Sequence, residues 1–149
     1  MKIFIDTWGW IVLRNKREPM HTELSKFYFS WRNQRGVSYT TDYILDETFT
    51  ILFRRLSFKE AKESLDVIDL AIKEGYLRLE RITEERFEKA KRLRIKFQDK
   101  PGISFTDLTS MVVMTEMGIT SILTQDWAFH PGGNGLSKNS MSAEKFCGG

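Results

Sequence analysis

Apolar positions along this chain follow two periods, and their alternation sketches the fold. Ile3-Phe4-Ile5 is a short unbroken apolar run cut off by Asp6-Thr7, the pattern of a buried strand. Leu24, Phe27, Tyr28 and Trp31 then recur at helical spacing and predict a helix over about residues 20–35, closing at Gly36. Val37-Ser38-Tyr39-Thr40 predicts a second strand. From about Asp42 to Leu56 apolar residues fall nearly all round the helix, as they do on a buried one. Ser57 with Glu60 forms a capping box, and the helix it opens carries Ala61, Leu65, Ile68 and Ile72 on one face and stops at Gly75. Tyr76-Leu77-Arg78-Leu79 is a third strand. Thr83-Glu84-Glu85 starts a helix through Phe97, acidic in its first turn and basic in its last, as the helix dipole favours. After the turn Lys100-Pro101-Gly102 comes a helix from Ser104 to Met117, stopped by Gly118, and then a fourth strand, Ile119-Thr120-Ser121-Ile122-Leu123.

Strands alternating with helices predict an α/β layer fold with a mostly parallel sheet. There is no repeat and no internal linker, so residues 1–149 read as one domain. The tail after His130 is rich in glycine (Gly132, Gly133, Gly135, Gly148, Gly149) and loses periodicity; it forms either one edge strand around Leu136 or a loosely ordered end.

Composition narrows the class. With 149 residues, 41% hydrophobic and 29% charged, the chain suits a single globular core. Its apolar stretches are short, Met111 to Met114 among the longest, so none spans a bilayer, and the opening Met1 to Asp6 is too short and too soon acidic for a secretory signal. Cys147 stands alone, which excludes an intramolecular disulfide and a cysteine-cluster zinc site. A soluble cytoplasmic protein is expected. The net charge of +3 tolerates a polyanionic partner without demanding one.

Candidate chemistry lies in carboxylates at element ends. Asp6 follows the first strand and Asp126 the fourth, and ligands of open parallel sheets bind beyond the carboxyl ends of strands. Taken alone, each reads first as a turn or cap aspartate. Glu47 falls on the apolar stripe Ile44, Glu47, Thr48, Ile51, where a carboxylate must be paired, protonated or bound to metal; a salt bridge to Arg54 or Arg55 and a metal role are even alternatives. Asp107 closes Ser104-Phe105-Thr106-Asp107, which reads first as a capping box. Were the four acids neighbours, they would suit a hard cation such as Mg²⁺ or Mn²⁺. Two such ions about 4 Å apart can activate a water and steady the leaving oxygen of a phosphodiester. The chain has no P-loop, no Gly-x-Gly-x-x-Gly, no His-Glu-x-x-His and no Cys-x-x-Cys, and only His21 and His130 for histidine chemistry.

These residues, in order, resemble a known family. Ile5-Asp6-Thr7, Tyr43-Ile44-Leu45-Asp46-Glu47-Thr48 through Leu52, Ser104-Phe105-Thr106-Asp107, and Ile122-Leu123-Thr124-Gln125-Asp126-Trp127-Ala128-Phe129 are similar to the successive motifs of the PIN-domain ribonucleases, especially the VapC-like toxins of toxin–antitoxin pairs. The resemblance covers roughly residues 1–130. It implies a three-layer α/β/α sandwich around a mostly parallel sheet, and endonucleolytic cleavage of RNA with Mg²⁺ or Mn²⁺. It further implies Asp6, Glu47, Asp107 and Asp126 as metal-binding catalytic acids, with Thr7 and Thr124 hydrogen-bonding a ligand carboxylate or a water. A homodimer and a small antitoxin whose tail enters the groove are implied as partners. Two places depart from the pattern: Ala128 stands where relatives often carry histidine, and Trp8-Gly9-Trp10 is bulkier than usual.

Other signals divide between surface and function. Arg86, Lys89, Lys91, Arg92, Arg94 and Lys96 crowd one helix, either as a solvated face paired with Glu84, Glu85 and Glu88 or as a phosphate-contacting face. Arg14, Lys16, Arg17, Arg54 and Arg55 are further phosphate candidates, and Trp8 and Trp10 either pack in the core or stack on a base or a partner side chain. A dehalogenase-like phosphatase would need an acid where Trp8 stands, and a response-regulator receiver an acidic pair where Met1-Lys2 stands. A PIN-like module that binds RNA or protein without cutting is the remaining alternative; it would be expected to lack an acid, and all four are present.

Overall fold

Neighbouring residues of a strand face opposite sides of a sheet, so a strand buried at every position is covered on both faces. Ile3, Phe4 and Ile5 are each at most 1% exposed, which places the first strand at the centre of a layered fold. In the computed structural model, residues 1–124 are described in full, and 127–129 and 136–138 through their backbone.

The chain runs β1 (Lys2–Ile5), α1 (Thr7–Arg14), α2 (His21–Asn33), β2 (Val37–Thr41), α3 (Asp42–Arg55), α4 (Phe58–Lys73), β3 (Leu77–Glu80), α5 (Glu84–Lys96), α6 (Phe105–Met117), β4 (Ile122–Leu123), β5 (Trp127–Phe129) and β6 (Leu136–Lys138). The central sheet has the order β3-β2-β1-β4, with all neighbours parallel. With the helices it forms a three-layer α/β/α sandwich. No helix among the described residues is long and apolar enough to cross a membrane.

Three apolar clusters hold these layers. The largest joins β1, Tyr39, Leu77 and Leu123 to Ile44, Leu45, Ile68 and Val113 of the helices. A second, of Ile11, Leu52, Leu56 and Ala61, locks α1 against α3 and α4. A third, of Ala90, Phe97, Leu108 and Val112, lies between α5 and α6.

Three readings of the sequence change. The helix α1 was not expected: Trp8, Trp10, Ile11, Val12 and Leu13 surround it without a polar face, so eight residues directly after a strand carry no 3.6-residue signal. The fourth strand is only Ile122–Leu123, because Ile119 closes α6 instead. Gly118 turns left-handed (φ 65°) and the Ile119 N–H reaches the Met114 carbonyl at 2.8 Å. Leu136 does sit in a strand, but β6 pairs antiparallel with β5 and not with the parallel sheet's edge. The other residues of the 131–149 tail lie outside the described residues.

One close approach sets how α1 sits. A Cβ on Gly9 would stand 3.0 Å from Ile5 Cγ2, from Leu123 Cβ and from the Leu123 carbonyl oxygen. Two of these three atoms belong to or adjoin rigid backbone, so the helix and not the sheet must move. Gly9→Ala is expected to lower stability by about 2 kcal/mol, against the small gain a helical Gly→Ala change otherwise brings, as measured by urea denaturation.

Candidate active site at the carboxyl edge of the sheet

The strand order reverses direction at β1: the chain steps from β1 to β2 and β3 on one side, then returns to place β4 on the other. Such a switch point leaves a crevice beyond the strand ends. Asp6 is the first residue past β1 and Thr124 the first past β4, and the Asp6 amide continues the ladder to the Leu123 carbonyl at 3.1 Å.

Asp6 is also the N-cap of α1. One carboxylate oxygen accepts the Thr7 N–H at 2.9 Å and the other the Thr124 hydroxyl at 3.1 Å. The backbone behind it is clamped. Trp10 donates its indole N–H to Thr40 Oγ1 at 3.2 Å, and Thr40 donates its hydroxyl to the Ile5 carbonyl at 3.1 Å. Burial pushes the Asp6 carboxyl up to about 6 from 3.8. The Thr7 and Thr124 bonds oppose the shift, while the charges of Asp107 and Glu47 add to it.

Glu47, in the second turn of α3, accepts the Thr7 hydroxyl at 2.7 Å. Its partner is therefore this threonine; Arg54 and Arg55 are exposed in the last turn of α3. Thr7 thus touches two acids, one through its amide and one through its side chain. Asp107 makes the expected capping box: its Oδ2 accepts the Ser104 N–H at 3.0 Å, and its own N–H goes to Ser104 Oγ at 3.0 Å. That role occupies one oxygen, and its charge still reaches Asp6. The structure therefore draws Asp6, Glu47 and Asp107 to one crevice with Thr7 and Thr124 among them, while Asp126 lies outside the described residues.

Asp42, past β2, was not singled out by the sequence and shows the contrasting case. Its Oδ1 accepts the N–H groups of Tyr43 at 3.1 Å and Ile82 at 2.9 Å, tying α3 to the segment after β3. An aspartate after a strand gives the same sequence signal in either role.

The donor set around Asp6 is all oxygen, which suits Mg²⁺ or Mn²⁺. A buried carboxylate raised by two like charges is relieved by a cation. Among the described residues no group of three such side chains already converges tightly enough to hold an ion, so Asp126 or a side-chain adjustment would have to complete the set.

The basic residues are largely engaged elsewhere. Arg86 bonds Glu80 at 3.1 Å and Glu116 at 2.8 Å, Lys89 bonds Glu116 at 3.0 Å and Glu85 at 3.5 Å, and Lys91 bonds Glu88 at 3.2 Å. Arg94 caps the carbonyls of Ile103, Phe97 and Lys100. Arg14 donates to Ser64 at 2.9 Å, and Arg17 lies 3.8 Å from Glu60. Lys89 with Glu85 and Lys91 with Glu88 pair along α5 as expected, whereas Arg86 turns inward to Glu80 and Glu116, partners that helical spacing did not suggest.

No family model matches the chain. It is 30% identical over 132 residues to the 23S rRNA-specific endonuclease VapC20 of Mycobacterium tuberculosis, covering 88% of this chain and 94% of that protein. The crystal structure of Mycobacterium tuberculosis VapC20, described as a sarcin–ricin loop cleaving toxin, superposes with a TM-score of 0.68 at 28% identity, over 80% of this chain and 86% of that one. VapBC2 from Rickettsia felis, solved with a DNA fragment from its promoter, shares the fold with a TM-score of 0.61 at 14% identity, over 83% and 87% of the two chains.

The Asp6 shift has a definite sign. The folded state holds this proton up to about pH 6 and the unfolded chain releases it near 3.8, so stability falls as pH rises through that window and stays lower above it. In chelator, melting temperature is therefore expected to drop between about pH 4 and pH 7. Asp6→Asn should flatten that drop and stabilise the metal-free protein near pH 7.5 by on the order of 2 kcal/mol. Thermal melts across pH check both.

Proposed function

The chain belongs to the VapC-like PIN-domain family of toxin ribonucleases, and we propose that it is a metal-dependent toxin endoribonuclease whose crevice beyond β1 and β4 cuts RNA. The observation that supports the reading is Thr7 bonding both Asp6 and Glu47 at the switch point, with the charge of Asp107 reaching Asp6.

In this reading Asp6, Glu47 and Asp107, with Asp126, hold Mg²⁺ or Mn²⁺. The bound cation supplies Lewis-acid stabilisation of charge on the phosphodiester oxygens. The rest falls to the chain's own groups. Thr7 fixes Asp6 and Glu47 relative to each other, and Thr124 holds the second Asp6 oxygen, so their lone pairs are oriented before substrate arrives. The Trp10–Thr40–Ile5 clamp keeps the strand end from yielding.

The relative's name supports a structured ribosomal RNA loop as the first substrate to try. A small antitoxin and a second copy of the chain complete the proposed assembly; the antitoxin part draws support from the fold shared with VapBC2. Light scattering of the purified protein at tens of micromolar should report a dimer.

The decisive assay offers ribosomal RNA to the purified protein with Mn²⁺, with Mg²⁺ or with chelator. Cleavage with metal and none with chelator is expected. Asp6→Asn and Asp107→Asn, which can keep their cap hydrogen bonds, should each reduce the rate by at least about a hundredfold while the fold survives. Undiminished cutting by both variants would remove the acids from the mechanism, and no cutting by the wild type on any RNA would favour a binding module.

A further inference from the structure

A nuclease that selects its RNA needs a side chain that meets a base. The tryptophans flanking Asp6 do not provide one: Trp10 is buried with its indole on Thr40, and Trp8 packs against the main apolar cluster. Tyr43 differs from both. It lies in the first turn of α3, four residues before Glu47, so the two share one flank of the helix. Helical side chains lean toward the helix N-terminus, which for Tyr43 is the carboxyl edge of the sheet where the crevice opens. The backbone beneath is anchored, since the Tyr43 N–H bonds Asp42 at 3.1 Å and Asp42 in turn holds Ile82. The ring is half-buried yet belongs to none of the three apolar clusters, and its hydroxyl has no protein partner among the described residues. An aromatic ring outside the three described clusters, one helical turn from a crevice acid, has the chemistry to stack on a base.

We propose that Tyr43 recognises the substrate by stacking its ring on a nucleobase next to the scissile phosphodiester, which selects RNA whose base at that place is splayed out of a helix. This rests on the RNA-cutting reading of the same crevice. Aromatic stacking accepts any base face and is available only where the base is unstacked, as in loops and bulges. The carboxylates would then act on the phosphate while Tyr43 sets which nucleotides can reach them.

The test uses an RNA hairpin bearing the sarcin–ricin loop, or an oligonucleotide spanning whichever site the wild-type protein cuts in total ribosomal RNA. Copies with an abasic nucleotide on either side of the cut are compared with it. Tyr43→Phe keeps the ring and should hold kcat/KM within about threefold, whereas Tyr43→Leu should lose on the order of tenfold or more, at an unchanged melting temperature. One abasic copy should be cut correspondingly worse by the wild type but no worse than the intact RNA by Tyr43→Leu. Equal cutting by Tyr43→Leu, or abasic and Leu losses that simply multiply, would overturn the proposal while leaving the nuclease reading intact. Failure of the wild type to cut any RNA would instead overturn that reading. Should Tyr43→Leu not fold, 2-aminopurine placed beside the cut answers with the wild type alone: quenching on binding in chelator is expected, and unquenched binding at both neighbours excludes the stack.

Discussion

How near α1 comes to the sheet decides where Asp6 and Thr7 stand in the crevice, and Gly9 sets that limit. Without a Cβ at this position the helix rests on Ile5 and on the Leu123 carbonyl, so its first turn begins at the strand end. Only from there can Asp6 serve as both strand terminus and helix cap, and only from there does the Thr7 hydroxyl reach Glu47 on α3. The Trp10 indole and Thr40 hydroxyl then fasten the same helix to the strand it leaves. A backbone approach thus determines how three parts of the sequence, far apart in number, share a few ångströms.

Within that geometry the acids of this protein are of two kinds. Glu116 is partly buried, which raises its carboxyl, but bonds from Lys89 and Arg86 more than compensate and hold it below its usual range. Asp42 gives its oxygen to two backbone amides. Asp6 faces the other way: desolvation and two like charges outweigh two hydrogen bonds, and among the described residues no cationic side chain enters the balance. A local electrostatic deficit of this sort destabilises the metal-free fold and marks out the place where a positive ligand has most to gain.

Much of this was legible in the sequence, for identifiable reasons. Helices with a polar face, such as α4 with its Ser57–Glu60 box, announce both their period and their ends. Buried α1 announces neither, since Trp8 to Leu13 give it no polar side. The acids at element ends were visible because strand ends and cap positions are local features. Their roles were not, because Asp6 and Asp42 present the same local pattern and differ only in which distant amides reach them. The hydrogen-bond partner of Glu47 was hidden for a similar reason: helical spacing offered Arg54 as one alternative, while the partner in the structure, Thr7, stands forty residues away. Pairings such as Arg86 with Glu116 also belong to tertiary packing and leave no spacing to read.

The capping box at the start of α6 gives Asp107 an unusual position in the protein's history. One of its oxygens ends a helix and the other remains for whatever the crevice holds. On the proposed reading, mutational loss of this acid would therefore be noticed twice, once by the chemistry and once by the folding of the helix that carries Leu108 and Val112 into the core. Decay toward a silent but folded protein has a narrow path here, since most replacements at 107 would also loosen the scaffold and expose the chain to degradation. Asparagine is the substitution through which such a lineage could pass, keeping the cap while giving up the charge.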